Sequence, residues 1–159
     1  MLFRALFLTA SSTLGLATAA AVAVTAPQPA ATQTVGPCTT GSPTVTAGYT
    51  INYAEAKPTI AFEEGYQPEP AWADSHVIGT YTFGVPTPVE SGFAYAQFKC
   101  QYYCNNAPGA GGFFVSYTGS GSKSGSDCTC FDELLDPESF VSTNQTLVGA
   151  WNPICKEEA

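Results

Sequence analysis

The sequence predicts an α+β domain, with one main helix stapled by disulfides onto an antiparallel sheet of about five strands. Three observations predict it. The cysteines of the middle region fall as Cys100-x-x-x-Cys104 and Cys128-x-Cys130. Four residues apart on a helix places two side chains on one face about 6 Å apart, and two apart on a strand gives about 6.6 Å. A helix lying along a strand can thus carry two disulfide rungs. Phe93, Ala96, Cys100, Tyr103 and Cys104 also recur at intervals of three and four, which makes one apolar helical stripe. Short runs of strand composition, punctuated by proline and glycine, lie on either side.

The elements follow in order. Residues 1–19 read as a secretory signal: Arg4 gives the positive start, Ala5 to Leu16 the apolar run, and Ala17-Thr18-Ala19 the small-residue cleavage site. Ala23 is a later alternative. Residues 20–37 carry neither charge nor aromatic ring and read as a flexible leader. The folded domain is expected over 38–155. Thr44 to Tyr53 reads as one strand with Val45, Ala47, Tyr49, Ile51 and Tyr53 on one face, and Thr59 to Phe62 as a second, shorter one. Glu63 to Asp74 reads as a loop broken by Pro68 and Pro70, and His76 to Phe83 as a strand. Ser91 is the expected helix N-cap, with Glu90 near the positive end of the dipole. Asn105, Asn106 and Pro108 stop the helix. Phe113 to Tyr117 and Cys128 to Phe131 read as strands, and Thr118 to Asp127 as a low-complexity loop. Asp136-Pro137 looks like a cap followed by proline at the first helical position, so Pro137 to Phe140 reads as one helical turn. Thr146 to Trp151 is the last strand, and residues 156–159 form a tail.

A secretory address with six cysteines implies disulfides. The spacings lack the paired knuckles of zinc sites and His76 is the only histidine, so no metal or cofactor is expected. The formal net charge of -8 repels phosphate backbones and anionic lipid. Nucleic acid is not expected as a partner on that ground, and because no second apolar span follows the signal, neither is membrane insertion after its cleavage. The chain is read as a monomer. Asn144-Gln145-Thr146 is the single N-glycosylation sequon.

The order of helical Cys-x-x-x-Cys, glycine turn, Phe113-Phe114-Val115-Ser116-Tyr117, loop and Cys128-Thr129-Cys130-Phe131 resembles the PAN/Apple modules. More narrowly, it is similar to the Apple-like domains of small secreted fungal proteins. The resemblance implies an outer Cys38–Cys155 bond and places Cys100 and Cys104 against Cys128 and Cys130. A long glycine-rich connection permits the last strand to run antiparallel to the helix, which favours Cys104–Cys128 with Cys100–Cys130. The family usually has a cysteine where this chain has Gly111-Gly112, and one rather than two in the later strand. The local staple also resembles that of the cysteine-stabilised αβ peptides, which are shorter and generally cationic; the geometry carries over and the membrane-directed function does not.

For chemistry, no Gly-x-Ser-x-Gly motif occurs, and His76 reads as a strand-end histidine. Glu63 and Glu64 are adjacent in sequence, and on a strand such neighbours would point to opposite sides and could not face a common substrate. Asp132, Glu133, Asp136 and Glu138 read as a solvated acidic turn; a calcium site or a glycosidase pair is the sharper alternative. The aromatics carry the binding hypothesis. Tyr66 and Trp72 flank two prolines and are expected to stand out on a stiff loop as stacking residues, with Glu69 and Asp74 as orienting acceptors; packing of the loop's own rings against the domain is the rival. Together these make a secreted, non-enzymatic recognition module. The resemblance implies an extracellular carbohydrate or protein as ligand, at a cell wall or host interface. The rivals are an effector-type protein without a small-molecule pocket and a carboxylate-dependent hydrolase.

Overall fold

The computed structural model describes residues 37–86, 88–120 and 123–156, without the side chains of 119, 120, 123 and 124. The expected signal, the expected leader up to residue 36 and residues 157–159 lie outside the described residues.

The fold is α+β, as the cysteine spacings require. Its elements are β1 (Thr44–Thr46), β2 (Tyr49–Ile51), β3 (Tyr53–Glu55), β4 (Gly65–Pro68), α1 (Pro70–His76), β5 (Val77–Gly84), α2 (Val89–Asn105), β6 (Gly112–Ser120), β7 (Lys123–Phe131), β8 (Phe140–Thr143) and β9 (Val148–Pro153). Five strands form an antiparallel sheet in the order β3-β9-β6-β7-β5, and two ribbons, β1-β2 and β4-β8, stand beside it.

The sheet has two differently covered faces, and the alternation of side chains decides which residue goes where. Phe113, Val115, Cys128, Cys130, Trp151 and Tyr53 point to α2 and form the first core with Ala96, Cys100 and Cys104. Phe114, Phe131 and Ala150 point the other way into a second core, closed by Leu135, Phe140, Ala56 and the partly buried Tyr66, Trp72 and Ala73. Two buried amides bind the layers. Asn152 acts as a backbone mimic, accepting from the Leu135 N–H and donating to its carbonyl, each at 2.8 Å. Gln101 accepts from the Asn52 N–H and donates to the Thr50 carbonyl, fixing the first ribbon to α2.

All six cysteines are bonded: Cys38–Cys155, Cys100–Cys128 and Cys104–Cys130. The outer bond matches the one implied by the family resemblance. The inner pairing is the reverse of the one favoured from sequence, Cys104–Cys128 with Cys100–Cys130. The reason is directional. The chain reverses once between α2 and β6 and again between β6 and β7, so β7 runs along the helix rather than against it. Gly111 has no room for a side chain: a Cβ would sit 2.8 Å from the Asp132 carbonyl oxygen and from Glu133 Cα.

Other expectations are corrected. Thr44 to Tyr53 is a hairpin and a third strand, because Ala47 and Gly48 both take positive φ and turn the chain. Val45 is consequently 69% exposed. Thr59 to Phe62 forms no strand. The stretch 63–74 is β4 and the start of α1: Pro70 occupies the first turn of the helix, where its missing N–H costs nothing. The low-complexity run Thr118 to Asp127 is mostly ladder, paired from Thr118↔Gly125 to Ser120↔Lys123. Ser91 is not the cap of α2; the helix begins at Val89, and the Ser91 hydroxyl donates back to the Pro88 carbonyl at 3.1 Å. Of the expected helical stripe, Ala96, Cys100 and Cys104 are fully buried, while Phe93 packs partly buried against the same core and Tyr103 lies partly buried on Tyr81. Pro137 to Ser139 is a turn, and Phe140 opens β8, a strand that sequence reasoning missed.

Candidate functional site

The far face of the sheet holds the candidate site. Among the described residues it is the place where apolar floor, hydroxyls, an amide and a free carboxylate converge. A groove of about 350 Å³ is lined by Gln67 and Pro68 of β4, Pro70, Ala73 and Asp74 of α1, Val77 and Thr80 of β5, and the β6 and β7 residues Phe114, Thr129 and Phe131.

Of the four residues expected at a binding loop, the structure brings only Asp74 to this groove as an exposed polar group. Tyr66 is partly buried, edge-on to Phe140 at 5.0 Å and to Phe114 at 6.3 Å. Burial pushes its phenol up to about 12, the Glu55 carboxylate adds to the rise, and a hydrogen bond with the Ala150 backbone opposes it. Trp72 stacks on His76 at 4.8 Å and packs on Phe131 at 5.0 Å. Both rings therefore serve the second core, and the expectation that they stand out on a loop is corrected. The Glu69 carboxylate is committed to the helix start, accepting from the Trp72 N–H at 2.7 Å.

Strand alternation builds a platform from the groove outward. Thr80 pairs with Thr129 and Thr82 with Asp127, the second pair two residues farther along the ladder on the same face. The Thr82 hydroxyl donates to Asp127 Oδ1 at 2.8 Å. Their neighbours Tyr81, Cys128 and Cys130 belong to the first core on the opposite face. Sequence reasoning missed Thr80, Thr82, Asp127 and Thr129. The signal was present: if Cys128 and Cys130 face the helix, Asp127 and Thr129 must face away.

The remaining candidates separate. His76 closes α1, and its Nδ1 lies 2.9 Å from Asp132 Oδ1 while Nε2 lies 3.9 Å from Glu133 Oε2. Asp136 accepts from the Glu138 N–H at 3.0 Å, which is the local turn bond expected of it. Cys104 Sγ and Cys128 Sγ are 3.8 Å apart across the two rungs, but sulfurs held in disulfides offer no thiolate to a metal. Asn144 is exposed and borders a second cavity of about 490 Å³, beside Glu63 and Glu64. A tyrosine band crosses the outer side of α2: Tyr81 stacks on Tyr103 at 4.5 Å, Lys99 Nζ sits over the Tyr95 and Tyr103 rings, and Tyr102 is 61% exposed. None of the described helices is long and apolar enough to cross a membrane.

The chain matches no protein-family model, no curated protein and no solved structure.

Proposed function

We propose that the protein is a secreted, non-enzymatic carbohydrate-recognition module, Apple-like in kind, and that the far-face groove and its threonine platform bind the ligand. The observation that carries the reading is the composition of that surface. Hydroxyls from Thr80, Thr82 and Thr129 and the amide of Gln67 surround an apolar floor of Phe114 and Phe131. A pyranose offers the matching surface, a C–H face ringed by hydroxyls that both donate and accept. Three disulfides suit an extracellular setting. The non-enzymatic reading is supported by His76, whose two ring nitrogens face the carboxylates of Asp132 and Glu133 rather than a hydroxyl nucleophile.

The test is titration with neutral and amino-sugar oligosaccharides, followed residue by residue by amide shifts. Thr129→Val removes a hydroxyl at nearly constant volume, and it is expected to weaken binding about fivefold with an unchanged melting temperature. Binding that leaves the Thr80 and Thr129 amides unmoved rejects this surface.

A second reading has its own observation. The tyrosine band around Lys99 presents flat, amphipathic rings, a composition common at protein interfaces. A ligand whose shifts map to Tyr95, Lys99 and Tyr102 would move the function to a protein partner.

A further inference from the structure

We infer that the groove selects a cationic sugar, a 2-amino-2-deoxy pyranose whose protonated amine sits against the Asp74 carboxylate. The inference rests on the carbohydrate reading and narrows it.

Its place in the groove, together with its lack of a partner, singles out Asp74. Glu69 is held by the Trp72 N–H, Asp132 by His76, Asp136 by the Glu138 N–H and Asp127 by Thr82. Asp74 forms no hydrogen bond or ion pair among the described residues, and it is the one acid lining the groove. An exposed carboxylate near the C-terminal end of α1 is also unfavourable to that short helix, because it faces the negative end of the dipole. Its position is therefore not explained by the stability of α1.

The surroundings set the sign of the ligand. The layer over the far face comprises residues 59–76 and 132–147. It holds Glu63, Glu64, Glu69, Asp74, Asp132, Glu133, Asp136 and Glu138, with no lysine or arginine. Apolar walls at Pro70, Val77 and Phe114 concentrate that negative potential in the groove, where a charge is worth more than on open surface. An ammonium group gains there, whereas a uronate or a sulfated sugar is repelled. The hydroxyls of Thr80 and Thr129 and the Gln67 amide are left for the neutral part of the same ring. A second subunit of an oligomer, displaced along the strands, meets Asp127, whose Oδ1 accepts from Thr82 and whose Oδ2 has no partner among the described residues. A lysine side chain carries the same charge but no hydroxyl-ringed body, so the hydroxyl platform favours the sugar over a basic peptide.

The experiment is calorimetric titration of the full domain, disulfides intact, with the β-linked glucosamine hexamer, the N-acetylglucosamine hexamer and hexalysine, each against wild type and Asp74→Asn. The glucosamine hexamer is expected to bind at least tenfold tighter than the acetylated one and than hexalysine. Asp74→Asn is expected to weaken it about fivefold, or about 1 kcal/mol, while melting at or slightly above the wild-type temperature, because the side chain is exposed and its charge opposes the dipole of α1. Equal binding of the two hexamers overturns the amine preference and leaves the carbohydrate reading intact. Failure of both hexamers overturns the two together. Hexalysine binding as tightly as the glucosamine hexamer, or an Asp74→Asn variant that binds like wild type, also overturns the inference.

Discussion

Trp72 and Tyr66 show how much depends on where a ring points. Two prolines between a pair of aromatic residues were legible in the sequence, but their meaning was not. Pro70 begins a helix at Glu69 rather than stiffening a loop, and the helix carries Trp72 inward onto Phe131. Trp72→Ala is accordingly expected to cost about 2 kcal/mol of folding stability, less than a fully buried tryptophan, with oligosaccharide affinity nearly unchanged; thermal melting and titration of the one variant check both. The tyrosines make a second prediction. Burial pushes Tyr53 up to about 12, and Tyr66 reaches about 12 as well. An unfolded tyrosine ionises near 10, so between 10 and 12 the unfolded chain loses protons that the folded chain keeps. Stability is complete below about pH 10 and falls as pH rises toward 12. Tyr66→Phe should flatten that fall, read as melting temperature against pH.

At the scale of elements, the staple was legible and its direction was not. Cysteine spacing specifies that a helix meets a strand; it does not record how many times the chain reverses between them. The glycine- and serine-rich run 118–127 concealed the second reversal, since its composition reads as loop while the backbone of 118–120 and 123–127 continues the ladder. Peptide mapping without reduction should recover Cys100 linked to Cys128 and Cys104 to Cys130; a crossed pair would require β7 to run the other way. The entry to α2 gives another test. Gly92 lies in the first turns of the helix with the Pro86 carbonyl oxygen against its Cα, where a Cβ would collide. Gly92→Ala therefore should destabilise by about 1–3 kcal/mol in a denaturant titration, although alanine is favoured over glycine in a helix by about 1 kcal/mol. The elements of the proposed binding surface were the least legible, because Thr80 and Thr129 acquire meaning only once the cysteines fix which face is which.

For the whole molecule, charge and covalent closure are both unevenly placed. Acids crowd the layer over the far face, while α2 carries Glu90 and Lys99 alone. The sequon at Asn144 lies on that acidic side, exposed beside β8. A secreting eukaryotic host should attach a glycan there, seen as a mass increment that Asn144→Gln abolishes, without loss of binding at the groove. The outer disulfide has a mechanical consequence. Cys38 and Cys155 are 117 residues apart in sequence with Cα atoms 4.9 Å apart, and Thr39 bridges to Ile154 beside them. Tension applied through the segments outside this pair passes through one sulfur–sulfur bond and bypasses the sheet. Tethered at both ends, the domain should transmit force as an inextensible link, and only a reductant should release the roughly 400 Å of chain stored behind it.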